Sequence, residues 1–203
     1  MKQKQIKMEK NKQYRSFNGT ISKAEEDSRI VEGYAVRFNE SSQNLGFYET
    51  ISPGAITEET LKQSDIYARL NHREDTVLAR SRYGEGTLDL KLTPEGLFYR
   101  FEAPHTQAGD ELLEHIKRGE ISTSSFAFTV DESDNKAQRW YKEDGVMKRE
   151  VKKIERLYDV SPTFEGAYLT TSCYSRDKGK AMKELDEKVN KKMDYLQNEI
   201  DKL

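Results

Sequence analysis

Three histidines are available to this chain as proton acceptors, and they stand in different surroundings. His105 lies in Pro104-His105-Thr106 ahead of a helical stretch, and His115 lies within that stretch beside Lys117 and Arg118, so both are expected at exposed positions. His72 closes the run Ile66, Ala68, Leu70, His72 on the core-facing parity of a strand, inside Asn71-His72-Arg73-Glu74-Asp75. Spacing alone leaves open whether its imidazole is a satisfied structural group or a base. Serine hydrolysis needs a hydroxyl nucleophile, an imidazole to take its proton, a group that orients the imidazole, and donors for the oxyanion. No Gly-x-Ser-x-Gly elbow nominates the serine. In Ile121-Ser122-Thr123-Ser124-Ser125-Phe126-Ala127-Phe128, strand parity groups Ser124 with Phe126 and Phe128, and Ser125 with Ala127 and Thr129 on the other face. Ser125 is the serine free of the aromatic face, although an ordinary strand serine fits the same pattern. The single cysteine, Cys173, excludes an internal disulfide and a Cys-based metal cluster, and its thiol in the polar run Thr170, Thr171, Ser172, Ser175 is the rival nucleophile.

The elements that must position these groups follow from periodicity. Residues 1–15 are rich in Lys, Gln, Asn and Glu without a period, which predicts a disordered arm. Ile30, Tyr34, Val36 and Phe38 share one parity, and Leu88, Leu90 and Leu92 alternate with Asp89 and Lys91, as half-buried strands do. Thr93-Pro94-Glu95-Gly96 then turns the chain into Leu97, Tyr99 and Phe101, a hairpin. Ala108, Leu112, Leu113 and Ile116 predict an amphipathic helix over 106–118, with Gly119 as its C-terminal cap. Phe126, Phe128 and Val130 form another strand, 131–148 a polar loop or hairpin containing Trp140, and 151–160 and 167–171 the closing strands. The expected fold class is α+β, an antiparallel β-barrel flanked by helices, over a domain spanning 16–177. After it, Met182, Leu185, Val189, Met193, Leu196, Ile200 and Leu203 recur at spacings of three and four, predicting a separate amphipathic or coiled-coil helix over 178–203 that either folds back on the domain or, as the favoured reading, pairs with itself or with a helical scaffold.

Composition limits the function classes. With 34 basic and 36 acidic residues the chain lacks the electrostatic footprint of a nucleic-acid binder. No run approaches the roughly 20 apolar residues of a membrane span, and the Lys-rich start is not followed by an apolar signal segment. The expectation is a protein that stays in the cytoplasm where it is made, without nucleic acid, membrane, metal or cofactor.

One ordered set of fragments joins the histidine to the serine. Phe38, then Phe47-Tyr48-Glu49, Ile51-Ser52-Pro53-Gly54-Ala55, Asn71-His72, Val77-Leu78-Ala79-Arg80, Arg118-Gly119-Glu120-Ile121, Ser125-Phe126-Ala127-Phe128 and Asp159-Val160-Ser161 resemble the caudovirus prohead protease family over about residues 17–175. The resemblance implies a serine endopeptidase similar to herpesvirus assemblins, working inside the procapsid. It implies His72 as base, Ser125 as nucleophile and Asp159 as orienter of the imidazole, with Glu165 a nearby competitor for that last role. It implies as partners the major capsid protein with its scaffold segment, and the protease itself through autocleavage. A catalytically silent internal scaffold protein of the procapsid is the alternative. Arg80 is expected either to meet substrate or to form a structural ion pair. The chain departs from the family at Ala127 and Ala79, where Gly is usual, and at Glu165-Gly166-Ala167-Tyr168, which replaces Pro-Ala-Tyr. An added methyl matters where the backbone needs φ > 0 or close approach.

Overall fold

The computed structural model describes residues 12–17, 21–23 and 28–164. The central sheet holds Gln13–Phe17 (β1), Asp65–Arg69 (β5), Val77–Arg82 (β6), Glu85–Gly86 (β7), Ile121–Thr129 (β10) and Arg156–Phe164 (β13), in the order β1-β10-β13-β5-β6-β7. A second sheet orders Ile21–Lys23 (β2), Ile30–Arg37 (β3), Gly96–Glu102 (β9) and Leu88–Thr93 (β8) as β2-β3-β9-β8. The third joins the hairpin Gln138–Glu143 (β11) and Val146–Val151 (β12) to Tyr48–Ile51 (β4). Pairing is antiparallel except where β13 meets β5 and β12 meets β4. Two helices accompany them among the described residues, Glu58–Lys62 (α1) and Gln107–Lys117 (α2).

No closed barrel forms among the described residues. The large sheet ends in β1 on one side and the two-residue β7 on the other, so the expected barrel is corrected to three open sheets around a main core, with Phe47 and Met147 forming a second, smaller apolar cluster. Phe126 and Phe128 of β10, Val160 of β13, Tyr99 and Phe101 of β9, Val31 of β3 and Leu112 of α2 are all 2% exposed or less. Each such side chain contributes about 1.5–3 kcal/mol by leaving water. The β-branched and aromatic content of β10 suits it to a strand buried on both faces.

Several local expectations hold. The β8–β9 hairpin turns through 94–95 with Thr93 opposite Gly96. Only glycine fits at Gly96, whose φ is 158° and where a Cβ would lie 1.9 Å from the Val36 carbonyl oxygen. Helix α2 is capped by Thr106, whose hydroxyl accepts from the Gly109 N–H, and is followed by Gly119 at φ 72°. Two readings are corrected. In β3 the buried face is Val31, Gly33 and Ala35, not the parity of Ile30 and Tyr34, and a register shift between Tyr34 and Val36 then buries Val36 as well. The chain is also ordered into β1 from Gln13, inside the stretch expected to be a disordered arm. Cys173, Glu165 and the expected C-terminal helix lie outside the described residues.

Candidate active site

Strand β5 ends at Arg69, and the chain then makes one 3-10 turn, Leu70–His72. Asn71 and His72 both take left-handed backbone, with φ of 54° and 61°. Asn and His are among the non-glycine residues that tolerate this region, yet each such conformation costs on the order of 1–3 kcal/mol and persists only where the surroundings impose it. The turn corrects the expectation that His72 continues the strand. Ile66, Ala68 and Leu70 face the core, whereas the turn swings His72 to the opposite face, where Asp159 stands beside Tyr67 in the β13–β5 pairing.

There the imidazole meets a carboxylate. His72 Nδ1 lies 2.8 Å from Asp159 Oδ1, with Asp159 fully buried. The Ser161 hydroxyl donates to the same oxygen at 3.0 Å, and Arg69 Nη1 lies 3.7 Å from Oδ2. With Nδ1–H given to the carboxylate, the lone pair of His72 sits on Nε2, which is buried and has no hydrogen-bond partner among the described residues. The Tyr14 ring from β1 meets the imidazole edge-on at 4.9 Å between centroids.

Ser125 lies on the same sheet face, opposite Ser161 of β13 on one side and Ser16 of β1 on the other. Its hydroxyl is fully buried and donates to the backbone carbonyl of Arg15 at 2.7 Å, not to His72. Ser124 points to the aromatic face, as parity predicts, and shares a 2.8 Å hydrogen bond with the Tyr99 phenol. Burial pushes that phenol well above its ordinary pKa, so it stays protonated.

The remaining candidates separate from this constellation. His105 is exposed. His115 is half-buried rather than exposed, because Glu120 holds its Nδ1 at 2.6 Å and Phe164 packs on its ring. Arg80 forms a bidentate pair with Asp65, its Nε 2.7 Å from Oδ1, which is the structural alternative for that residue. Ala127 and Ala79 occupy strand positions without positive φ, so the backbone at neither demands glycine.

A second charged group was missed in the sequence. Arg15 of β1, Glu49 of β4 and Arg149 of β12 are buried to 3, 2 and 1% exposure. Arg15 grips Glu49 with two donors, Nε to Oε1 and Nη2 to Oε2, the latter at 2.9 Å. Arg149 Nη1 lies 2.8 Å from Glu49 Oε2, and its Nε donates to Gln138 at 2.7 Å. Gln13 Oε1 accepts from both guanidinium groups. Burial alone would raise the Glu49 pKa, but the two guanidinium groups outweigh it and hold the carboxyl below its ordinary range. The signal was parity: Glu49 shares its face with Phe47 and Ile51, and Arg149 with Met147 and Val151, so each puts a charge on a core-facing position.

The family model for caudovirus prohead serine proteases matches residues 18–185, a span that contains His72, Ser125 and Asp159. Among solved structures, the bacteriophage T4 capsid assembly protease gp21 is similar at 12% identity, with a TM-score of 0.47 over 76% of this chain and 98% of that one. No curated protein matches the sequence. The extent of the family match decides the assignment: this chain belongs to the caudovirus prohead serine protease family.

Proposed function

We propose that this prohead protease is a serine endopeptidase acting through Ser125, His72 and Asp159, and that it cleaves scaffold segments of the major capsid protein, and itself, inside the procapsid. The observation that supports it best is the His72–Asp159 hydrogen bond, which leaves Nε2 buried and, among the described residues, without a partner on the face that holds Ser125. A buried carboxylate on Nδ1 fixes the tautomer and stabilises the imidazolium that forms when Nε2 takes a proton.

In the reaction, the Ser125 hydroxyl turns from the Arg15 carbonyl to Nε2 and gives up its proton as Oγ attacks the scissile carbonyl carbon. The imidazolium passes that proton to the leaving amide nitrogen. Water then hydrolyses the acyl-enzyme by the same base.

Co-expression with the major capsid protein, read by mass spectrometry of the products, tests this. Defined trimming of the capsid protein that disappears in Ser125→Ala is the expected result. No trimming by the wild-type chain would leave a silent scaffold protein instead.

A further inference from the structure

We infer that β1 lies in the enzyme's own substrate groove, with the Arg15–Ser16 bond presented to Ser125 and Glu49 selecting a basic side chain on the N-terminal side of the cleaved bond. This rests on the reading of Ser125 as nucleophile.

Three independent features of β1 converge on it. The first is register. β1 pairs antiparallel with β10, Ser16 opposite Ser125 and Arg15 opposite Phe126, and the carbonyl within reach of the Ser125 hydroxyl is that of Arg15, at 2.7 Å. The second is position in the sheet. β1 is an edge strand laid on the strand that carries the nucleophile, which is how extended peptides add to an exposed sheet edge. It also precedes the residues matched by the family model, which begin at 18.

The third is the division of side chains between the two faces. Tyr14 and Ser16 lie on the face of Ser125, where Tyr14 touches His72. Gln13 and Arg15 point the other way, into the buried pocket formed by Glu49, Arg149 and Gln138. Arg149 is committed to Gln138 and to one oxygen of Glu49, whereas Arg15 takes both carboxylate oxygens in the fork geometry that suits a guanidinium. When a strand leaves, Glu49 and Arg149 remain as a balanced pair. A strand that brings an apolar or acidic residue to the place of Arg15 buries that pair with carboxylate lone pairs unfilled, and a site built for a donor rejects ligands that lack one.

The chemistry balances within the chain plus one water. Ser125 Oγ bonds to the Arg15 carbonyl carbon while its proton passes to His72 Nε2. The C–N bond to Ser16 breaks as the nitrogen takes that proton, and water releases Arg15 as a carboxylate and restores Ser125. The products are a segment ending at Arg15 and a chain beginning at Ser16.

The test uses the full chain. Wild type and Ser125→Ala are incubated and their masses and N-termini read, and peptides carrying Gln-Tyr-Xaa-Ser-Phe, with Xaa as Arg, Lys, Leu or Glu, are offered to the wild type. Expected are a new N-terminus at Ser16 in wild type only, and cleavage after Arg and Lys at least about 100-fold faster than after Leu or Glu. Arg15→Glu should block self-cleavage and Arg15→Lys restore it, a pair that separates loss of recognition from loss of fold. Glu49→Gln should raise KM for the Arg peptide more than it lowers kcat. Ser125-dependent cleavage of capsid protein with the 15–16 bond intact and no preference for a basic residue overturns this inference alone. Absence of Ser125-dependent cleavage of every substrate overturns the protease reading with it.

Discussion

The imidazole of His72 and the carboxylate of Asp159 are joined by a 2.8 Å hydrogen bond across 87 residues of sequence, and the carboxylate has no exposed surface. Replacing Asp159 by Asn keeps the shape but donates a proton where one should be accepted, which favours the wrong histidine tautomer. Asp159→Asn should lower kcat by about 10³–10⁴-fold with KM little changed, measured on a cleaved peptide.

His72→Ala and Ser125→Ala should each abolish cleavage, and the double variant should be no worse than either, because members of one catalytic unit are not additive. Ser124→Ala is the contrast. It removes the hydrogen bond to Tyr99 and should cost about 1 kcal/mol of stability while leaving cleavage intact. An inactive Ser124→Ala beside an active Ser125→Ala would move the register by one.

Asn71 precedes the catalytic candidate in left-handed backbone. Asn71→Gly should fold with near-normal stability, since glycine adopts this region freely, whereas Asn71→Val should cost about 1–2 kcal/mol and displace the imidazole. A thermal melt and a rate on the same samples check both halves.

Acid should act through Glu49. Its folded pKa lies below the ordinary value of 4.5, so the unfolded chain takes up its proton first on acidification. The stability it contributes is fully present above about pH 4.5 and declines as pH falls through the folded value. Glu49→Gln should therefore be less stable near neutrality by about 3–5 kcal/mol, because two buried guanidinium groups lose their counter-charge, and its melting temperature should fall less steeply than the wild type's in acid.

The elements with clean periods were legible in the sequence: the β8–β9 hairpin, helix α2 with Gly119 behind it, and the opposite facing of Ser124 and Ser125. The route to His72 was not, because two successive left-handed residues invert a face that strand parity assigns the other way. Sheet closure was also beyond a pattern of strands, since alternation fixes which face is buried but not which strands end a sheet. β1 was hidden for a different reason. Gln13 and Arg15 look like a solvated face, and only the distant Glu49 and Arg149 make that face a buried one.

The slot that β1 fills is five residues long, about 17 Å of sheet edge at ~3.4 Å per residue. A chain entering it must arrive with its own N–H and C=O groups unspent, whereas the strands and helices of a folded domain have already committed theirs to one another. If it receives substrate as proposed, such an edge sorts proteins by conformation before it sorts them by sequence. Tethers, tails and linkers can lie down along it, and a folded capsid lattice cannot. A shell built around this enzyme would be spared by it, while whatever stays threadlike inside the shell would not.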